Sequence, residues 1–286
     1  MSNLIYHYTD ISAFQGMVEN KEFWLTAHLY MNDEKEYFQG LEILEAKLEA
    51  RLGDAGDQAV TLISEIINHI KKVIIFSTSF SKQANLLSQW RSYCPVEGGV
   101  SIGFDKEILE STICRDRGVN NIRYLQECCY DKEHSDWVAD TICNGAIKHL
   151  QESGETPVQG KILKSTFFYE MLTFLARSKN EHFSEEAEVR LFTYCNEDFT
   201  IVDIPDNCNS PSVNIVASEN VNFRAKKNFL VPFLKVNFPI EAIKEIHIGP
   251  SQYQKECESS LKMFLASKGL GGQCQIIKSQ TPYRAI

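Results

Sequence analysis

The sequence lacks the features that mark membrane-spanning, exported, fibrous or disordered chains. Among 286 residues there are only 8 prolines and 15 glycines, which excludes collagen-like and low-complexity classes. No stretch approaches the ~18 uninterrupted apolar residues of a transmembrane helix. The start, MSNLIYHYTD, has neither the basic segment nor the apolar run of a signal peptide. We therefore expect a cytoplasmic protein with no membrane partner.

An excess of basic residues is also missing. The chain has 29 Lys and Arg against 38 Asp and Glu, a net charge of −9. Proteins that bind DNA or RNA usually carry a basic face, because neutralisation of phosphates dominates their affinity. We expect no broad nucleic-acid-binding surface. A local basic pocket for one polyanionic ligand remains compatible with this charge.

Nine cysteines are present, but none is arranged as a metal site. There is no C-x-x-C pair and no Cys/His cluster at zinc spacing, so we predict no metal. The adjacent Cys128 and Cys129 are interpreted as reduced strand residues rather than as a vicinal disulfide.

Hydrophobic periodicity predicts an α+β fold with a mixed, largely antiparallel sheet, because strands and helices intermingle without regular β-α alternation. No linker divides the chain, so we predict one domain over 1–286 with helical insertions at about 33–72 and 133–180. Among the predicted strands are Leu4–Tyr8, Phe23–Thr26, Val73–Phe80, Gly98–Phe104 and Ala187–Tyr194.

Three polar clusters precede residue 80. The first strand ends in His7-Tyr8-Thr9, where His7 either binds a ligand or satisfies a loop carbonyl. Trp24 is followed by Asn32, next to an Asp33-x-x-Glu36 capping box that explains the two acids without function. Ser77-Thr78-Ser79 lies in a buried strand, where hydroxyl groups need hydrogen-bond partners. Ser77 and Ser79 either bond within the core or line a pocket.

Two further clusters combine charge with aromatic rings or carboxylates. Trp90, Arg91 and Tyr93 could stack a ring and hold a phosphate, or Arg91 could simply cover a core Trp. If residues 186–191 form a strand, Glu186, Glu188 and Arg190 share one face, with the carboxylates ~6.5–7 Å apart. Such a pair could stabilise an oxocarbenium-like transition state, or it could face solvent and pair with Arg190.

The ordered set HYT…W…ND-x-x-E…FS-x-S…S-x-WR-x-Y…E-x-E-x-R…IGP…PYR resembles a large bacterial family of uncharacterised proteins, and it runs from residue 5 to residue 284. More distantly, the strand ending in His7-Tyr8-Thr9, the short helix and Phe23-Trp24 resemble the start of the ADP-ribosyltransferase superfamily. That resemblance implies a split sheet of ADP-ribosyltransferase type with NAD as substrate.

The resemblance also implies roles for the clusters. Glu188 would stabilise the ribosyl cation and hold the 2′-hydroxyl, and Glu186 would orient or deprotonate the acceptor. His7 would contact the NAD ribose, while Ser77 to Ser79 would shape the nicotinamide pocket. The remaining expected contacts are a ring stacked on Trp90 or Tyr8 and a diphosphate at Arg91 or Arg190, with Thr9, Trp24, Asn32 and Tyr93 as further binding residues.

Three hypotheses follow. The first is an NAD-consuming enzyme that transfers ADP-ribose to a macromolecular acceptor or to water, as a toxin or phage-defence effector. It predicts that His7, the 77–79 strand and Glu188 converge on one cleft. The second is a non-catalytic module that binds a nucleotide or a protein. The third is a metal-dependent hydrolase or nuclease that draws ligands from His7, Asp33, Glu36, Glu186 and Glu188.

Overall fold

The computed structural model describes residues 3–31, 34–51, 57–95, 97–114, 123–153, 166–194, 201–203, 212–214 and 221–281. Helices and strands are intermingled around an open, mostly antiparallel sheet, which confirms the predicted α+β class. Within those ranges, none of the helices combines the length and the apolar character needed to span a membrane.

The strands in the described residues are β1 (Leu4–Thr9), β2 (Glu22–Ala27), β3 (Ile75–Ser81), β4 (Val100–Asp105), β5 (Arg123–Glu127), β6 (Glu188–Tyr194), β7 (Ile201–Asp203), β8 (Ser212–Asn214), β9 (Val221–Lys226), β10 (Phe229–Asn237), β11 (Ile243–Ile248) and β12 (Gln275–Lys278). The α-helices there are α1 (Ile11–Asn20), α2 (Glu34–Glu49), α3 (Asp57–Lys72), α4 (Leu87–Tyr93), α5 (Lys106–Ile113), α6 (Lys132–Ser153), α7 (Thr166–Arg177) and α8 (Gln254–Ser267).

The ten-stranded sheet has the order β12-β11-β4-β1-β3-β2-β10-β9, and β6 and then β5 extend from the other edge of β3. The strand pairs are antiparallel except for β11 with β12, which run parallel. β7 and β8 form a separate two-stranded sheet. This order makes β6, β3 and β1 direct neighbours, so the strands that carry Glu188, Ser77 to Ser79 and His7 lie side by side.

The sheet is split along one edge of β3. β6 pairs with the whole of β3 on one side, from Ile75 to Ser81. On the other side β1 meets β3 only near its end, where Tyr6 opposes Ser81. β2 meets β3 near its beginning, where Thr26 opposes Ser77. Residues 78–80 lie between these two pairings, and the sheet opens there.

Two hydrophobic cores cover the two faces of the sheet. On one face, the aromatic rings of Phe23, Phe80, Phe104 and Phe238 contact one another. On the other face, α2, α3, α6 and α7 pack over the side chains of β3 and β6. The buried Leu41, Leu44 and Leu48 follow the helical period, which explains why α2 lies on the sheet. The helices that lie within the predicted insertions, α2, α3, α6 and α7, therefore form one layer over the strand that begins at Glu188.

Candidate functional site

A cavity of about 630 Å³ opens at the split in the sheet. This volume is within the range of small-molecule sites. Its walls come from β1, α1, β2, β3, β6 and β9, and therefore from residues far apart in the chain. The sequence-predicted site residues that line it are His7, Tyr8, Thr9, Trp24, Ser77, Ser79, Tyr93, Glu188 and Arg190.

The strand register brings His7 close to Glu188. Tyr6 opposes Ser81 on β3, and Ser81 opposes Glu188 on β6. Because neighbouring strands lie about 4.8 Å apart, the backbones of Tyr6 and Glu188 are separated by roughly 10 Å. His7 directly follows Tyr6, and the side chains of His7 and Glu188 line the same cavity.

His7 is held in a single neutral tautomer. Its Nδ1 lies 2.9 Å from the carbonyl oxygen of Ser79, and a carbonyl can only accept, so Nδ1–H donates. Burial lowers the pKa of His7 below its usual value, which keeps the ring neutral. Nε2 then carries a lone pair and can accept a hydrogen bond from a ligand hydroxyl group.

Glu188, Lys179 and Arg190 form a buried ionic network, which we call the charged end of the cavity. Arg190 Nε donates to Glu188 Oε1 at 2.6 Å. Lys179 Nζ and Arg190 Nη2 donate to Oε2 at 2.5 and 3.1 Å. Burial alone would raise the pKa of Glu188, but the charges of Arg190 and Lys179 outweigh it and lower that pKa to about 2. Glu188 is therefore ionised at neutral pH.

Glu186 does not share a strand face with Glu188, and that interpretation was wrong. Glu186 ends a 3₁₀ helix (Glu181–Glu186), and Ala187 has a φ of 43° before β6 begins. This left-handed residue breaks the alternation on which the prediction depended. Glu186 is absent from the residues that line the cavity, and its Oε2 instead accepts from Lys179 Nζ at 2.6 Å.

The backbone of Glu188 is fixed by the segment that follows β5. Its N–H donates to the hydroxyl oxygen of Tyr130 at 2.7 Å, and its carbonyl accepts from the N–H of Cys128. Lys179 N–H donates in turn to the carbonyl of Cys129. Cys128 and Cys129 are free thiols, as predicted, and their backbone holds the two charged residues in place.

Trp90 and Arg91 do not line the cavity. Trp90 is buried, packs edge-on against Tyr8 with ring centroids 4.7 Å apart, and donates from Nε1 to Asn85. Arg91 is exposed at the surface of α4. The helical period places Gln89 and Tyr93, four positions apart, at the cavity wall instead of the Trp-Arg pair. The expected stacking platform at Trp90 is therefore a core contact in this structure.

The cavity mouth has a different aromatic and cationic pair. Trp24 is 41% exposed and stacks on Phe233. The guanidinium of Arg224 lies 6.0 Å from the Trp24 ring centroid, and Nη2 donates to Thr26 Oγ1. Lys226, on the same strand as Arg224, also lines the cavity.

Sequence reasoning missed Lys179, His28 and Arg224. Arg224 was missed because β9 was not predicted, and its alternation of Asn222, Arg224 and Lys226 was the available signal. Lys179 follows a helix and precedes a turn, so periodicity gave no signal for it. His28 was placed in a loop after β2, although its position directly after a buried strand was a usable hint.

Asn32 and Asp33 lie outside the described residues, as does the side chain of Glu36. Among the side chains that are described, no three His, Cys, Asp or Glu residues cluster in a way that could hold a metal ion. The metal-dependent hydrolase hypothesis therefore gains no support from the described part of the chain.

A family model described as "Protein of unknown function (DUF2971)" matches residues 89–191. The matched segment is about a third of the chain and contains Lys179, Glu188 and Arg190, but not His7 or β3. It supports the similarity to an uncharacterised family over those residues. No curated protein and no solved structure shows significant similarity to the chain.

Proposed function

We propose that the protein is an NAD-dependent ADP-ribosyltransferase or NAD glycohydrolase. One observation supports this more than any other: His7, Ser77, Ser79 and Glu188 lie on three neighbouring strands and line one cavity. The sequence hypothesis predicts this convergence. The basic groups Arg224 and Lys226 at the mouth suit the diphosphate of such a ligand.

In this proposal the bond between C1′ of the nicotinamide ribose and the nicotinamide nitrogen breaks. Its electron pair passes to the nitrogen, and neutral nicotinamide leaves. The ribose is left as an oxocarbenium-like cation, which the ionised Glu188 stabilises. The oxygen or nitrogen of an acceptor then bonds to C1′ and loses its proton. The acceptor is a macromolecule in a transferase or water in a glycohydrolase.

The hydrogen bonds of Glu188 leave capacity for this role. A carboxylate has about four lone-pair sites, and Lys179 and Arg190 fill three of them. The fourth can accept a ribose 2′-hydroxyl. His7 Nε2 is the second acceptor that faces the ligand, and it suits another ribose hydroxyl or the proton of the acceptor.

The same network also favours a second candidate, a non-catalytic nucleotide-binding module. The carboxylate of Glu188 is already neutralised by two cations, which reduces its ability to stabilise a third. A ligand-binding cavity would then persist without turnover. Such a module would show an increase in Tm with NAD or ADP-ribose and no release of nicotinamide.

The test is to incubate the purified protein with NAD labelled in the adenosine and nicotinamide parts, with and without candidate acceptors. We expect release of nicotinamide, and a 10²–10³-fold lower rate in Glu188→Gln, because preorganised electrostatic stabilisation is typically worth that much. Release at the wild-type rate by the variant would contradict the role of Glu188.

Glu185→Gln is the matched control, because Glu185 is exposed three residues earlier and is expected to leave the rate unchanged. Circular dichroism of both variants separates loss of activity from loss of fold. An absence of turnover in the wild type, with every acceptor tried, would remove the enzyme proposal. A thermal shift with ADP-ribose would then decide in favour of the binding module.

A further inference from the structure

The far end of the cavity contains a second neutral histidine, His28, which follows β2 directly. The backbone N–H of Ile75 donates to its Nδ1 at 3.1 Å. Nδ1 is therefore the unprotonated nitrogen, and in the neutral ring the hydrogen is carried by Nε2. Burial lowers the pKa of His28 to about 4, so this tautomer persists at neutral pH.

Nε2 of His28 makes no hydrogen bond to any residue that the structure describes. The residue is only 8% exposed, yet it lines the cavity. Because His28 lines the cavity, a bound ligand can supply an acceptor for this N–H. At the cavity wall, His28 therefore offers a hydrogen-bond donor, whereas His7 offers an acceptor.

The surroundings of His28 are apolar and aromatic, and we call this region the neutral end. The ring of Tyr37 lies against His28 with centroids 4.0 Å apart, and the Tyr37 hydroxyl donates to the carbonyl of Ile70. Among the described residues, Ile75, Met31 and Leu175 also line the cavity. These groups favour a flat, uncharged ring over a phosphate or a carboxylate.

The two histidines lie at opposite ends of β3. His28 is bonded to Ile75, and His7 is bonded to Ser79, four residues further along. At about 3.3 Å per residue these two backbone anchors are roughly 13 Å apart. Glu188 opposes Ser81, at the His7 end. The neutral end is therefore separate from the position of the reacting ribose.

We infer that the neutral end is a subsite for a planar, uncharged heterocycle that offers an in-plane hydrogen-bond acceptor to His28 Nε2–H. This inference adds to the proposed function and names a part of its ligand. Of the two rings of NAD, adenine has this chemistry, because it is uncharged, offers its ring nitrogens and lies far from the reacting ribose. The nicotinamide ring of NAD also offers an acceptor, its carboxamide oxygen, but it is a pyridinium cation bonded directly to that ribose.

Calorimetric titration of the full chain separates the two sources. ADP-ribose carries only adenine, and nicotinamide mononucleotide carries only nicotinamide. His28→Phe keeps an aromatic ring at this position but removes both ring nitrogens. We expect it to weaken the binding of ADP-ribose about tenfold and to leave the binding of nicotinamide mononucleotide unchanged. His182→Phe, at an exposed histidine, is the control and should change neither.

A second set of probes leaves the protein unaltered, so that the test survives a variant that does not fold. It comprises the 1-, 3- and 7-deaza forms of ADP-ribose and the thioamide form of nicotinamide mononucleotide. One analogue should bind the wild type about tenfold more weakly than its parent. In a folded His28→Phe variant the same analogue should show no further loss, because the partner is already absent.

The inference is overturned if ADP-ribose does not bind the wild type, if every deaza form binds like ADP-ribose, or if His28→Phe weakens nicotinamide mononucleotide as much as or more than ADP-ribose, or weakens neither probe. These readouts measure binding alone. If the protein does not turn over NAD but one analogue still binds more weakly than its parent, the enzyme proposal is rejected and the subsite stands. If the protein turns over NAD but every analogue binds like its parent, the subsite is rejected and the enzyme proposal stands.

Discussion

Polar groups are buried in opposite ways at the two ends of the cavity. At the charged end, Lys179 and Glu188 are 1% and 4% exposed, and their charges are balanced by direct ion pairs. At the neutral end, His28 is equally buried but has lost its charge. Buried ions need partners, whereas a neutral ring needs only hydrogen bonds. Buried charge is therefore concentrated where the reaction is proposed. At the other end a ligand would be recognised by uncharged groups.

The largest expected effect comes from breaking the charged end at Lys179. Lys179→Met leaves the carboxylates of Glu186 and Glu188 without their shared cation. Removing one partner of a buried ion pair typically costs about 3–5 kcal/mol, so the free energy of unfolding should fall by that amount. Urea denaturation measures it.

Lys82→Met is the matched control for that change. Lys82 pairs with Glu127 at 2.6 Å, but both side chains are about half exposed. Exposed pairs contribute about 1 kcal/mol or less. An equal loss of stability in the two variants would mean that the buried network stabilises the fold no more than an exposed ion pair does.

Acidification should distinguish the two ends by the pH at which each loses stability. His28 has a folded pKa of about 4, below its ordinary value of 6.5. The unfolded chain therefore binds the proton first, and stability falls as pH drops from 6.5 toward 4, by up to about 3 kcal/mol. Glu188, with a pKa lowered from 4.5 to about 2, contributes stability that is lost only below pH 4.5.

The measurement is the free energy of unfolding of the wild type and His28→Phe between pH 7 and pH 4.5. The variant should show a shallower loss, because it has no imidazole to protonate at this position. His7 remains in both proteins, so part of the slope persists. Identical slopes in the two proteins would contradict a neutral, buried His28.

The smallest expected effect is at the mouth of the cavity. Arg224→Gln removes a cation that lines the cavity beside Trp24. Affinity for ADP-ribose should fall about tenfold, since charge-assisted hydrogen bonds contribute about 1.5 kcal/mol or more. The loss should shrink at high salt, because the site is partly exposed.

Lys227→Gln provides the control for Arg224. Lys227 lies in the turn after β9 and does not line the cavity. A similar loss of affinity in both variants would indicate attraction by general basic charge on this hairpin. Calorimetry at two salt concentrations separates the two explanations.

Sequence patterns predicted the parts of the site that lie in regular strands. His7 and Ser77 to Ser79 were identified because alternation and apolar runs mark β1 and β3. Glu186 was misplaced because a single left-handed residue, Ala187, interrupts the alternation before Glu188. Trp90 was misassigned because a Trp-Arg pair has the same sequence whether it faces the core or a ligand.

The other missed residues depend on tertiary contacts. Lys179 reaches the cavity because backbone hydrogen bonds to Cys129 hold the chain after α7. Cys129 follows β5 and is distant from Lys179 in the sequence. His28 gains its tautomer from Ile75, 47 residues away. The helical layer at 33–72 and 133–180 was predicted from periodicity, but its contact with β6 was not. Local sequence patterns therefore predicted the helices and strands. Long-range hydrogen bonds determine the positions and protonation states of the site residues.

We expect NAD to bind along β3 with its nicotinamide ribose at Glu188. A crystal structure of Glu188→Gln with NAD tests it most directly. We predict a ribose 2′-hydroxyl about 3 Å from the side chain of residue 188, with one ring of NAD at the Nε2 of His28. NAD bound elsewhere on the molecule, or bound with the ribose away from residue 188, would contradict the account.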